Sequence, residues 1–306
     1  MILIFGGTTE GRTAVKVLDE AGSPYYYSTR GNAQQIECKH GTRVAGGMDH
    51  DAMMEFCSTH DICLIIDAAH PFASLLHTTV AAVSEQLDLP VIRLERRYPP
   101  RDESLVWCDT FDDAIDYLES HEIHDLLALS GVQTITKLQR YWEKHPCHFR
   151  VLDRDDSREI AHRAGFPAEN LLFWQEGQDE LTLFRQLRLG AILTKESGES
   201  GYYEEKITAA RQLGIPVIVI RRPPLPDSFY VVNGEHGLRY RVERLLPGFY
   251  PLRSGFTTGS CATAATRAAL EGLLSRIPQH SAAITLPDGE TVTLPVSSCT
   301  FTKDSC

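Results

Sequence analysis

The sequence predicts an α/β protein: two doubly wound parallel-sheet lobes facing a cleft, then a small truncated C-terminal α+β fragment. Three observations lead there. Short apolar runs alternate with amphipathic stretches twice over, a glycine turn opens the first repeat, and the character of the chain changes beyond Pro247.

The first lobe, residues 1–98, begins with Ile2, Leu3, Ile4 and Phe5, an unbroken apolar run of the kind that forms a short strand buried on both faces. Gly6 and Gly7 make a tight turn, and Thr8, Thr9, Glu10, Gly11 and Arg12 lead into an amphipathic helix with Ala14, Leu18 and Ala21 on one face. Strand, glycine turn and helix N-terminus together make an anion site, because the helix dipole points at it and glycine lets a diphosphate approach the backbone. We read this stretch as a nucleotide-phosphate loop; the other reading is a βα turn without a ligand. Further strands are expected at 25–27, 42–45, 63–67 and 90–94, separated by helices near 51–59 and up to about Leu87. Ligands of such sheets lie beyond the carboxyl ends of the strands, so 6–12, 28–30, Gly46-Gly47 and 67–72 are expected to line one cleft.

The loop departs from the G-x-G-x-x-G fingerprint with an acid ending the second strand. Here Ser28, Thr29 and Arg30 stand where that acid would bind a ribose hydroxyl. Two hydroxyls and a guanidinium suit a 2′-phosphate, so NADPH is expected, with NADH as the alternative. Arg30 also fits a solvated surface residue. Asp67, Ala68, His70 and Phe72 close the fourth strand, where a nicotinamide would lie. His70 is the candidate proton donor, since histidine titrates near neutral pH without help; a histidine packed or bonded to a carbonyl is the competing reading.

The second lobe, residues 99–247, repeats the rhythm, with strands at 105–108, 126–129, 149–152, 191–194 and 217–220 and helices near 111–120, 134–142, 155–164, 181–187 and 203–213. A local echo joins the lobes: Leu89-Pro90-Val91-Ile92 before an arginine-rich turn, and Ile215-Pro216-Val217-Ile218 before another. The run 229–232 reads as a further strand, an edge or an exchange between lobes. Two strand-end loops stand out, Ser130-Gly131-Val132-Gln133 and the stretch 194–201; the latter either binds an anionic group or is a flexible βα turn. Residues 252–306 are expected to form a helix to about Leu274 and a hairpin near 283–296.

Bulk properties narrow the function. The 306 residues carry a net charge of −11, which argues against nucleic acid as a general partner. No stretch approaches the roughly 18 apolar residues of a membrane span, and no charged-then-apolar leader precedes Ile2, so a cytoplasmic protein without membrane partners is expected, with a monomer favoured. The eight cysteines are scattered without a C-x-x-C pair, and neither a disulfide framework nor a metal site is expected. His121 and His124 lie in a polar turn and do not make a metal site. Tyr202 and Lys206 fit the Y-x-x-x-K spacing of short-chain dehydrogenases, but the serine that should precede them is missing. Arginine clusters at 93, 96, 97 and 101, at 221 and 222, and at 150, 154 and 158 suit a substrate with several carboxylates. They also suit a surface where they pair with Asp102, Glu103, Asp153 and Asp156.

Together these stretches resemble the precorrin-6A reductase family of corrin-ring biosynthesis. The matching pieces are 4–12, Asp67-Ala68-Ala69-His70-Pro71-Phe72-Ala73, the arginine-rich 90–100, Ser130-Gly131, and Thr194-Lys195-Glu196-Ser197-Gly198 leading to Glu205-Lys206. They cover residues 1 to about 245. The tail Ser254-Gly255-Phe256-Thr257-Thr258-Gly259-Ser260-Cys261-Ala262-Thr263-Ala264 resembles the opening of cobalt-precorrin-5B C-methyltransferases, a domain normally far longer. The chain therefore looks like a reductase–methyltransferase fusion cut soon after the second domain begins, with a tail not expected to methylate. The resemblance implies two Rossmann-like lobes, with hydride transfer from a reduced nicotinamide to one double bond of a tetrapyrrole, cobalt-precorrin-6A in the cobalt-early route, and a proton added next to it. It implies substrate contacts from His70, Phe72, Arg96, Arg97, Ser130, Gly131, Thr194, Lys195, Glu196, Ser197 and Gly198. Competing readings are a nucleotide-sensing regulator without turnover and a short-chain dehydrogenase or sugar-nucleotide epimerase.

Overall fold

The computed structural model describes residues 1–31, 35–175, 177–199, 202–252, 255–287 and 289–300. Ser200, Gly201, Ser254 and Cys306 fall outside that set. In chain order the elements are β1 (Ile2–Phe5), α1 (Thr9–Asp19), β2 (Tyr25–Thr29), β3 (Gly41–Ala45), α2 (His50–Thr59), β4 (Leu64–Asp67), α3 (Ser74–Leu87) and β5 (Val91–Leu94). Next come β6 (Val106–Cys108), α4 (Phe111–Ser120), β7 (Leu126–Ala128), α5 (Gln139–Trp142), β8 (Cys147–Val151), α6 (Asp155–Arg163), β9 (Leu171–Phe173), α7 (Glu180–Leu187), β10 (Ala191–Lys195), α8 (Tyr203–Gln212) and β11 (Val217–Ile220). The last are β12 (Tyr230–Val232), α9 (Gly234–Leu245), α10 (Thr258–Ser275), β13 (Ser281–Thr285) and β14 (Thr291–Pro295).

Two six-stranded sheets and one hairpin result, with orders β12-β5-β4-β1-β2-β3, β6-β11-β10-β7-β8-β9 and β13-β14. Every pair within the two large sheets is parallel. The strands of the first are apolar because both faces are covered. Ile2 and Ile4 pack with Ala14 and Leu18 of α1 and Leu238 and Val242 of α9, while Leu3 and Phe5 pack with Met53 and Cys57 of α2 and Val80 and Val83 of α3. In the second sheet Ile192, Val217 and Val219 pack with Leu183, Phe184, Ile207 and Ala210. Helix starts follow the side chains available: Thr8, Asp49, Asp179 and Thr257 each accept a first-turn amide, and Thr110 with Asp113 makes a full capping box.

The lobe boundaries differ from those the sequence predicts. One compact unit is 1–96 plus 225–306, and the other is 97–224, so the second lobe does not extend to 247. The reason is a strand exchange. β6 follows β5 in the chain but pairs with β11, and the place beside β5 is taken by β12, with Tyr230 opposite Ile92 and Val232 opposite Leu94. Both readings of 229–232 are thus realised: β12 is the edge strand of the first sheet and an exchange between lobes. The sequence echo falls on β5 and β11, which hold equivalent places, each next to the exchanged strand. Two local expectations also change. β9 was not foreseen, and the helix expected over 134–142 is two 3-10 turns and the short α5.

The tail packs as part of the first unit. Its own core joins Ala264 and Ala268 of α10 to Ala282, Ile284, Val292 and Leu294 of the hairpin. The nearly buried Glu290 accepts from Gly237 N at 2.9 Å and His236 N at 3.2 Å, in the first turn of α9. A Cβ on Gly234 would lie 2.4 Å from the Glu290 carboxyl carbon, so only glycine admits this contact. Deleting 255–306 is expected to leave nucleotide affinity unchanged. It should lower the unfolding midpoint by about 2–4 °C, as loss of a ~1 kcal/mol cap does in a domain of this size. Thermal unfolding and calorimetry of the shortened chain check both.

Candidate functional site

Each large sheet has a point where strand order reverses, between β1 and β4 in the first and between β7 and β10 in the second. Ligands of open parallel sheets bind outside the carboxyl ends of the strands at this reversal. The four flanking loops fall in stretches the sequence singles out: 6–12 and 67–72 in the first unit, and 130–133 and the described part of 194–201 in the second.

In the first unit the three glycines have different jobs. A Cβ on Gly6 would sit 2.2 Å from Tyr27 Oη, and one on Gly11 would sit 2.7 Å from it and 2.9 Å from Gly6 Cα. Both are therefore glycine so that the loop can lie on the Tyr27 ring. Gly7 has φ +91° and open space where a Cβ would be, so it is the glycine whose outer side a ligand can approach. Its amide donates to Tyr27 Oη at 3.0 Å, which holds the turn in shape. Burial pushes the Tyr27 hydroxyl pKa up, against the pull of the Gly7 amide and of the Arg12 and Arg43 charges. Thr8 caps α1, accepting from Gly11 N, and its Oγ1 donates to Ala68 O at 2.6 Å, tying the glycine loop to the end of β4. Thr9 is exposed at the helix end.

Glu10 was expected at the cofactor, but its carboxylate lies 3.0 Å from Arg96 Nη2 with both side chains nearly buried. Arg96, expected at the substrate, is therefore the partner of Glu10. At the end of β2, Ser28 O accepts from Gly6 N and Thr29 Oγ1 donates to Gly31 O, so the buried Ser28 and Thr29 shape the turn. Arg30 is exposed just beyond them, and Arg12 is exposed with Nη1 donating to Gln35 O. Gly46 N donates to Thr29 O, which brings Gly46 and the exposed Gly47 beside the same strand end. Sequence reasoning missed Arg43. It stands opposite Tyr27 in the parallel register of β2 and β3, so it shares a face with the ring beneath the glycine loop.

Asp67 is the clearest correction. It is fully buried and accepts from His77 Nδ1 at 2.6 Å, Arg93 Nη1 at 2.9 Å and Ala69 N at 3.1 Å, so its carboxylate serves the protein's interior and not a ligand. Burial alone would push its pKa up, but the His77 hydrogen bond and the Arg93 charge outweigh that and hold it below the usual carboxylate range. Since the carboxylate can only accept, His77 Nδ1 carries the hydrogen. His70 is exposed at the end of this segment; its Nδ1 accepts from Phe72 N at 3.2 Å, and the two rings lie 5.9 Å apart.

In the second unit Gly131 has φ +89° at the head of a 3-10 turn, with Ser130 Oγ and Thr134 Oγ1 2.6 Å apart. Thr194 is buried, and Lys195 beside it is half-buried. Burial, aided by the Lys137 charge, pushes the Lys195 ammonium down to about 8. Glu196 is a second correction. Arg101 grips its carboxylate with two 3.0 Å bonds, and Arg222 N donates to it at 3.0 Å, so it braces the loop. Ser197 is buried and Gly198 has φ +68°, shaping the rest of that turn. Arg97 is half-buried, with its carbonyl accepting from Glu199 N.

The arginine clusters divide in the same way. Arg93 is fully buried, Arg150 is buried in a 2.6 Å fork with Glu180, and Arg221 and Arg158 pair with Asp109 and Asp153, while Asp102 pairs with Arg211 from outside the clusters. Tyr202 is exposed with φ +52° at the N-cap of α8, and Lys206 lies within the helix. Lys206 is pushed down to about 8 by burial and the Arg150 charge. Among the described residues no cluster of metal-ligating side chains exists, and no helix is long and apolar enough to cross a membrane.

A family model described as precorrin-6x reductase CbiJ/CobK matches residues 1–239. The chain belongs to that reductase family. It is an oxidoreductase, and the relatives of this reductase include a cobalt-precorrin-6A reductase of Methanothermobacter thermautotrophicus, 30% identical over 72% of this chain and 76% of the relative. A precorrin-6A reductase of Rhodococcus erythropolis is 31% identical over 77% of this chain and 94% of its own. A solved structure titled CobK precorrin-6A reductase shares the fold, with a TM-score of 0.65 and 22% identity over 82% of this chain and 98% of that one. A second family model, CbiD, matches 248–306.

Proposed function

We propose that the reductase uses NADPH to reduce one double bond of cobalt-precorrin-6A, giving cobalt-precorrin-6B in cobalamin biosynthesis. The observation that carries this is the placement of the glycine loop and the His70 segment on either side of the first sheet's reversal. When bound, the reduced nicotinamide supplies the hydride. The open side of Gly7 and the positive end of α1 receive the diphosphate, and Thr8 holds the loop against Ala68. Arg30, with Arg12 and Arg43, supplies positive charge where the adenine ribose ends. His70, exposed and free of burial, is the proton donor to the carbon next to the one reduced. In the second unit Lys195, with Ser130 and Gly131, takes carboxylates of the substrate rim. Anaerobic incubation with NADPH and cobalt-precorrin-6A tests the reading: a product heavier by two hydrogens is expected as one NADPH is oxidised, and a tetrapyrrole of unchanged mass with NADPH supplied sinks it.

Cofactor choice has its own test. Arg30 is exposed, so a contact with a 2′-phosphate is screened and worth ~1 kcal/mol, or about fivefold in affinity. Arg30→Ala is expected to weaken NADPH by about that factor and leave NADH unchanged. Equal affinity of the wild type for both cofactors in calorimetry would remove Arg30 from the site.

A further inference from the structure

A chain of charged side chains is buried across the carboxyl ends of β4 and β5. Arg93 and Asp67 are fully buried, and Glu95, Arg96 and Glu10 nearly so. Arg93 engages its whole guanidinium: Nη1 donates to Asp67 Oδ1 and to Ala69 O, each at 2.9 Å, while Nε and Nη2 reach Glu95 Oε2 and Oε1 at 3.2 and 3.4 Å. Asp67 Oδ1 also accepts from Ala69 N. Ala69 is thus held at both its N–H, by Asp67, and its C=O, by Arg93, and His70 is the next residue. Glu95 continues the chain, accepting from Arg96 N at 2.9 Å, and its own backbone is fixed to the exchanged strand by Val232 O and Asn233 Nδ2.

Burying such charges is no efficient route to stability, since apolar side chains of equal volume would serve as well. What a fork of directional bonds supplies is one backbone geometry. We propose that Arg93 is a positioning residue of the reductase, fixing through Asp67 and Ala69 the backbone that presents His70. Its catalytic consequence rests on His70 being the proton donor; its effect on the backbone does not. Lysine cannot replace it, because one ammonium cannot span Ala69 O and Asp67 on one side and Glu95 on the other.

The test uses the full chain with Arg93→Lys and Glu95→Gln, the second keeping side-chain shape and the Asp67 and Ala69 contacts. Amide exchange over 68–73 without ligands is expected to speed up about tenfold in Arg93→Lys and about threefold in Glu95→Gln, with β1 unchanged. The same variants should lose kcat by about tenfold and threefold, with KM for NADPH held within about twofold. In a His70→Ala background Arg93→Lys should cost less than about twofold more, because both act on one step. Unchanged exchange over 68–73 in the folded variants overturns the proposal, as does a fully multiplicative loss with His70→Ala. If Arg93→Lys does not fold, Glu95→Gln decides alone. Full activity of His70→Ala would instead refute the proton-donor reading, and the exchange result would still decide the role of Arg93.

Discussion

Gly7→Asp is expected to abolish detectable NADPH binding while the protein stays folded. Two facts set the expectation. A Cβ at this position meets nothing within 4 Å, so the side chain clashes with no part of the protein. At φ +91° the backbone disfavours a side chain, but aspartate tolerates the left-handed region better than most residues, and the strain amounts to ~1–2 kcal/mol against the fold. The new carboxylate would stand beside the bound diphosphate. At about 4 Å and an effective dielectric near 20, like charges repel by ~4 kcal/mol, about a thousandfold in affinity. Gly7→Asn separates charge from strain and should lose no more than about tenfold. Calorimetry with NADPH, alongside circular dichroism, reads both variants. An aspartate variant that binds as well as the asparagine one would show that the diphosphate lies elsewhere.

Gly6 and Gly11 would not report on the ligand in this way. An alanine at either drives a methyl group into the Tyr27 hydroxyl or the Gly6 backbone, so the loop itself would move. In the sequence the three glycines look alike. The distinction appears only when Tyr27, 20 residues beyond Gly7 on the next strand, lies under the turn.

Much of the architecture was legible for a simple reason. Strands buried on both faces leave unbroken apolar runs such as 2–5, 64–66 and 217–220, and these need no tertiary knowledge to find. The exchange of β6 and β12 was legible only as an option, because a three-residue strand carries no mark of which sheet it joins. Site residues divide by what their side chains face. Glycine turns are dictated by local backbone, so the turns at 6–7 and 130–131 can be read from the sequence alone. A carboxylate in a strand-end loop or at the helix start beyond it reads the same whether it meets a ligand or an internal arginine, and Asp67, Glu10 and Glu196 are each paired with an arginine. A signal did exist for Asp67. It is the lone charge ending Leu64-Ile65-Ile66-Asp67, Arg93 is the lone charge in Val91-Ile92-Arg93-Leu94, and in the parallel register the two are direct partners. Opposite isolated charges at matched positions of neighbouring buried strands point to each other before they point to a ligand.

Asp67→Ala is accordingly expected to destabilise the first unit by ~3–5 kcal/mol, a large share of the 5–15 kcal/mol typical of folded proteins. The substitution leaves the Arg93 guanidinium and the His77 ring buried without their shared acceptor, and it frees Ala69 N as well. Asp67→Asn keeps the volume and one acceptor oxygen, so its loss should be smaller but of the same sign. The pH dependence follows from the lowered carboxyl pKa in the folded state. A group depressed on folding contributes stability that is complete above its unfolded pKa, about 3.9, and is lost as pH falls through the lower folded value. The gap between wild type and Asp67→Ala should therefore be flat from neutral pH down to about 5 and shrink below about 4. Urea unfolding at several pH values, followed by far-UV circular dichroism, measures it. A gap under about 1 kcal/mol at neutral pH, or one that does not narrow in acid, would mean that Asp67 is not ionised at the centre of this network.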